Sequence, residues 1–251
     1  MKEIEYLYNE MGHLGRVHKP PVPWCAIMTN KAMIAMVTAQ IGHDWGLFVI
    51  VTDLPKYFSG VLGMSVQKNG FLTSLPFILF WVVSIISGFV GDCLIVRNYL
   101  SVTNVRKVMT VIAAWGPGAF MVLASYGGCN RMFVVIMFTL CMGSMGPYFT
   151  GMKLSPLDMS PNYAGTIMAI SNGIGALTGI LAPYSVGLLA PNGTMIEWRY
   201  VFWLAFALLF ITAIVFIVWG SGKVQPYDDP DYAEKRQAEK AIKKSEKEKE
   251  K

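Results

Sequence analysis

His43 and Asp44 stand side by side in "GHDWGLFVIV", an otherwise apolar run from Gly42 to Val51. Hydrocarbon penalises ionisable groups, so residues of this kind face a bundle interior or a water-filled path and are functional candidates by default. An imidazole titrates near neutral pH, which suits proton or anion handling. Adjacent helical positions differ by about 100°. One of the two can therefore point at a pathway while the other bonds a neighbouring helix; a buried polar pair that only packs is the alternative. A further polar group, Asn172, lies in "SNGIGALTGILAP" and could reach a cavity. Gly175 and Gly179, with Gly173 close by, give that stretch a small-residue face for close helix packing or for a sliding contact. In "GFVGDCLIVR", Gly88, Asp92 and Arg97 precede Arg106 and Lys107. An Asp–Arg pair there could latch one conformation, or these charges could simply anchor an interfacial loop. Asp53, Pro55 and Lys56 in "TDLPKYF" read as a helix terminus at the interface, with Tyr57 and Phe58 as aromatic anchors.

These residues must be positioned by membrane helices. The chain has 251 residues, of which 54% are hydrophobic and only 15% charged, and its mean hydropathy is +0.45. Soluble domains carry about 25% charged residues. The charges collect before Lys31, in short connections and after Gly222, so the net charge of +5 speaks to topology and not to nucleic acid. No nucleophile–base pair, phosphate loop or metal cluster is visible, and neither an enzyme nor a bound cofactor is expected. The four cysteines, Cys25, Cys93, Cys129 and Cys141, show no C-x-x-C spacing and read as small apolar residues without a disulfide framework. The opening "MKEIEYLYNE" lacks the apolar core of a signal peptide.

A spanning helix needs about 20 mostly apolar residues. Six runs qualify, over 32–54, 70–90, 108–126, 132–152, 163–190 and 198–220. The fifth is long and interrupted by Gly and Pro183, so its outer end is expected to bend. Pro117 and Pro147 fall inside the third and fourth, where neighbours or water must satisfy the freed carbonyls. Six spans place both termini on one side. Lys2, Arg16, Lys19, Lys31, Arg97, Arg106, Lys107, Lys153 and the basic tail lie there, against Lys56, Lys68, Arg131 and Arg199 opposite, so both termini are expected to be cytoplasmic. The sequon Asn192-Gly193-Thr194 falls on the outer side and makes Asn192 a glycosylation candidate. The expected division is a cytoplasmic segment over 1–31, a six-helix bundle over 32–220, and a mixed-charge, solvated tail over 221–251.

The order "PPVPW…HDWG…TDLPKY…KNGFLTSLP…GDCLI…VRK…LDMSPNYAGTIMAISNGIGALTGILAP…EWRYVF…QPY" resembles the anion:cation symporters of the major facilitator superfamily, from Pro20 to Tyr227. That group includes sialin, the vesicular glutamate transporters and the type I sodium–phosphate cotransporters, and the chain looks most like its insect branch named for inorganic phosphate cotransport. The resemblance implies an all-α, twelve-helix transporter of two six-helix halves, of which this chain matches the C-terminal half, so that it reads as a fragment or a truncated product. The first span corresponds to helix seven, and the first-half arginine and acidic groups of the family are absent. Where the vesicular glutamate branch carries an arginine, this chain has His43, which disfavours glutamate. The family often reads Asn-His-Leu-Asp ahead of Pro-Arg-Tyr-Ala; here Ser155-Pro156-Leu157-Asp158 precedes Pro161-Asn162-Tyr163-Ala164, keeping Asp158.

The implied activity is secondary active symport of an organic or inorganic anion such as phosphate, coupled to Na⁺ or H⁺ by alternating access. Polar groups near the midplane belong in a cavity between the halves, so His43 is expected to face that cavity near the anion. Asp44 is expected to support packing or the coupling ion. "GFVGDCLIVR" looks like the second-half copy of the cytoplasmic gating motif, in which Asp92 and Arg97 would help hold the outward-facing state. The expected partners are the lipid bilayer, a small anion and the missing six-helix half or another chain. The host membrane is either the plasma membrane or a lysosomal or vesicular one. A non-transporting six-helix protein that pairs with another chain is the alternative.

Overall fold

Apolar length sets the architecture. Every described element is helical, and no strand occurs among the described residues. The computed structural model describes residues 22–61, 63, 66–128, 130–229 and 232, with the backbone only over 66–73. Most of the cytoplasmic segment expected over 1–31, Cys129, and nearly all of the tail beyond Asp229 lie outside the described residues.

Among the described residues, six helical segments are long and apolar enough to cross a membrane: Lys31–Gly60, Ser74–Val96, Val102–Ser125, Arg131–Met159, Ala164–Leu189 and Met195–Trp219. A short α1 (Trp24–Met28) precedes them. The first span is α2 (Lys31–Phe48), a π-helical stretch (Val49–Asp53) and α3 (Leu54–Gly60). The second is the greater part of α4 (Val66–Val96), and the third is α5 (Val102–Ser125). The fourth joins α6 (Arg131–Met145), 3-10 turns at Gly146–Tyr148 and Met152–Leu154, and α7 (Ser155–Met159). The fifth is α8 (Ala164–Ala176) and α9 (Thr178–Leu189), and the sixth is α10 (Met195–Trp219).

Several ends differ from the apolar runs, for local reasons. The first span does not stop at Asp53. Its helix widens to π geometry there, which admits Pro55 without an interior α-helical bond. Asp53, fully buried, is held by Lys56 Nζ at 2.6 Å and by the Thr52 hydroxyl at 2.8 Å. The third span begins six residues before Val108, because the Ser101 hydroxyl caps it by accepting from Asn104 N. Its first turns thereby take in Arg106 and Lys107. The sixth starts at a capping box in which Thr194 and Glu197 satisfy each other's backbone amides. The fifth span breaks at Leu177 and not at Pro183. The Thr178 hydroxyl donates to the Gly175 carbonyl at 2.6 Å, offering the backbone an alternative to the helical ladder at that point.

Close backbone approaches fix the crossings. A Cβ on Gly146 would lie 2.7 Å from Ser84 N and 3.0 Å from Val83 C, so the fourth span meets the backbone of α4 directly. At Gly151 a Cβ would lie 2.8 Å from Thr110 N on α5. Pro117 is buried in α5, and its carbonyl accepts a bond from the Cys141 thiol at 3.3 Å. Towards one end, Tyr57, Phe58, Phe138, Trp198 and Phe202 form an edge-to-face aromatic core.

The opposite end, where residues 22–30 and 221–229 meet, is here called the base. There the segment after α10 is tied down. Gly222 N donates to Thr103 Oγ1 at 3.0 Å, Gln225 N to the Met159 carbonyl at 2.8 Å, and Asn30 Nδ2 to Gln225 Oε1 at 3.0 Å. Asp228 accepts at Oδ1 from Ser160 Oγ (2.6 Å) and Asn162 N (3.0 Å). Tyr227 is buried beside it, and burial together with the Asp228 carboxylate pushes its phenol up to about 12, so it stays neutral at physiological pH.

Candidate functional site

The polar groups of the first span sit between α5 and α10 on one side and α8 on the other. His43 is 5% exposed, and its ring stacks on Tyr148 with centroids 3.7 Å apart and planes 6° from parallel. A cavity of about 10 Å³, at the lower limit for one water, adjoins it and is lined by Thr110, Tyr148, Met152 and Thr212 among others. His43 Nδ1 has no hydrogen-bond partner among the described residues. The Tyr148 ring covers that of His43. The 3-10 turn Gly146–Tyr148 ends the fourth span's α-helix and lays that ring over the imidazole.

Asp44, one helical step round, points the other way. It accepts from Gln40 Nε2 at 2.7 Å, while Gln40 Oε1 accepts from the Tyr148 hydroxyl at 3.0 Å. A relay Tyr148–Gln40–Asp44 therefore joins the fourth span to the first. Asp44 Oδ2 lies against Gly175 of α8, where any Cβ would strike it. Gly179 makes the next contact, on the Phe48 ring, at 3.1 to 3.3 Å. Gly173 does not share this packing, since a Cβ there would meet nothing within 4 Å. Two residues along a helix are about 200° round from Gly175, which turns Gly173 away. Asn172 is exposed and accepts at Oδ1 from Lys153 Nζ.

At the base, Arg106 is buried and forks onto Asp158, with Nε to Oδ2 at 2.6 Å and Nη2 to Oδ1 at 3.4 Å. Its Nη1 donates to the Thr150 carbonyl at 2.7 Å. Third and fourth spans are thus clamped by one guanidinium. Asp92 and Arg97 are exposed and form no ion pair with each other. Gly88 has open space where a Cβ would stand. The close approach on that helix is at Gly91, whose Cβ would meet Thr150, with Ser87 Oγ 3.2 Å from Thr150 Oγ1 beside it. At the far end Asn192 is exposed, with Nδ2 donating to Glu197 Oε1 at 2.9 Å. If Asn192 carries a glycan, Asn192→Gln removes it. The variant should then migrate with enzymatically deglycosylated parent on a gel, whereas equal mobility of untreated parent and variant would show the sequon unused.

Lys153 and Tyr148 are the members of this site that residue types did not single out. Lys153 stood among the basic residues of one side, and Tyr148 in an apolar run. The signal available was the break "GSMGPYFTG", whose glycines and proline end an α-helix just before Tyr148.

Six apolar spans enclosing ionisable groups define a multi-pass helical membrane protein with the architecture of half a major facilitator fold. No family model matches the chain. It is 32% identical over 240 residues to a "Putative inorganic phosphate cotransporter" of Drosophila ananassae, which covers 94% of this chain and 50% of that protein. It is 33% identical over 223 residues to human sialin, covering 89% of this chain and 45% of sialin. With bovine vesicular glutamate transporter 2 the identity is 30% over 234 residues, 92% of this chain and 40% of that one. The chain is a homologue of the anion:cation symporter group of the major facilitator superfamily. It spans about half the length of the curated relatives it matches.

Proposed function

We propose that this chain forms half of a secondary active transporter for small organic or inorganic anions, driven by Na⁺ or H⁺ through alternating access. The observation that carries the reading is Asp44. A carboxylate about 20 Å along the first span from Lys31, by the rise per residue, is only partly buried and is wired through Gln40 to Tyr148. A group so placed suits a coupling ion, which can exchange places with the Gln40 bond. His43, beneath Tyr148, senses the same ring from inside the bundle. The Arg106–Asp158 fork would close the base in one conformation and release in the other. Asp92, Arg97, Gly88 and Gly173 stand free to meet the other half. Both termini are taken as cytoplasmic, in the plasma membrane or a lysosomal or vesicular one.

The test is uptake of radiolabelled phosphate, sialate, urate and a dicarboxylate by cells expressing the protein from its native transcript, under imposed Na⁺ and pH gradients in turn. Gradient-driven uptake of one of them, lost with Asp44→Asn at unchanged surface abundance, is expected. If the parent moves none of the four, the second reading takes its place: a six-helix membrane protein paired with another chain without transporting.

A further inference from the structure

Lys153 differs from Lys56 and Arg106 in how its charge is matched. Lys56 is bonded to Asp53 and Arg106 to Asp158, so their charges are matched by direct contact. Lys153 makes no ion pair among the described residues. It leaves the 3-10 turn Met152–Leu154, passes the face of Tyr148 with Nζ 5.5 Å from the ring centroid, and donates to Asn172 Oδ1. Asp44 stands close enough to act on it electrostatically, yet its Oδ2 goes to Gln40.

The depth is informative. Asn172 is eight residues into α8, about 12 Å along the fifth span by the rise per residue. A lysine that merely anchors a helix end directs its ammonium to the surface; this one reaches across to a neighbouring helix. Asn172 and Gly173 are both exposed there, and a Cβ on Gly173 would touch nothing. An ammonium at that level on an open face must meet water or another protein surface, because lipid would penalise it.

We infer that Lys153 and Asn172 form an anion-recognition pair, reading a phosphate or carboxylate oxygen on the open face of this half. An ammonium carries three donors, and the Asn172 amide adds an NH₂. Open space lies beside them, since a Cβ on the adjacent Gly173 would meet nothing within 4 Å. Tyr148 holds the ammonium over its ring by cation–π attraction. Asp44 is the nearby counter-charge, near enough to balance Lys153 when no anion is bound and not bonded to it, so an incoming oxyanion need not break an ion pair.

This rests on the transport reading, and its test separates the two. The anions are radiolabelled phosphate and sialate, taken up by the full protein. Lys153→Gln is expected to raise KM for the transported anion about tenfold or more, the size expected for losing a charge-assisted bond, with Lys153→Arg retaining part of the affinity. Lys153→Cys should regain affinity when a methanethiosulfonate restores an ammonium, and not with a neutral reagent of equal size. Rescue by both reagents alike, or a Lys153→Gln KM within twofold of the parent, would overturn the pair while leaving transport standing. A parent that moves neither anion overturns the pair; one that moves none of the four anions named above overturns the transport reading as well.

Discussion

Arg106→Ala loosens the base of the bundle by about 2–3 kcal/mol. The guanidinium is buried and feeds both Asp158 and the Thr150 carbonyl, so the truncation strands a carboxylate and a backbone acceptor together. Breaking a buried pair from one side costs about 3–5 kcal/mol. The lower figure applies because the Asp158 side chain is 21% exposed and regains some water. Lys in place of Arg keeps the charge and loses the fork, so it should fall between parent and Ala. Hydrogen exchange in detergent reads the change where it belongs, in α7 and the first turns of α5. Parent-like protection in Arg106→Ala would mean that packing alone, and not the fork, holds those ends together.

Gly146→Val is expected to be the most damaging single substitution in the membrane region. The branched side chain would have to occupy space 2.7 Å from Ser84 N. A flexible neighbouring side chain could turn away, but helix backbone cannot. Overpacking costs about 1–3 kcal/mol in a core that can adjust, and this crossing has less room to adjust than most. Gly88→Val and Gly173→Val are the controls, because neither Cβ meets an atom within 4 Å. They should unfold within about 0.5 kcal/mol of the parent. Thermal unfolding of the four proteins in one detergent decides the matter: a Gly146→Val midpoint equal to the controls would show that α4 and the fourth span are not in close register.

The number and order of spans were legible because hydrocarbon thickness leaves its length in the residue pattern. The ends were less so. Arg106 and Lys107 looked like loop charges because they are ionic, yet Ser101 caps the helix before them and the guanidinium is neutralised within the fold. The site was half legible. Any ionisable residue in an apolar run advertises itself, so His43 and Asp44 stood out, but which of them is covered depends on a tyrosine more than a hundred positions later in the chain. Arg106 and Asp158 each attracted notice, from residue type and from resemblance, but their partnership across 52 positions belongs to the topology. Lys153 was hidden by its company: among basic residues near the base, only the 3-10 turn after Gly151 sets it apart.

The ties between Gly222 and Asp228 have a practical side. A reporter or affinity handle grafted directly after Trp219 would displace the Asp228 carboxylate from Ser160 and Asn162 and expose Tyr227 at once. The same handle joined beyond Asp229 leaves every one of those bonds in place. Fusions at Trp219 and beyond Asp229 are therefore not equivalent edits, although only ten residues separate the two positions.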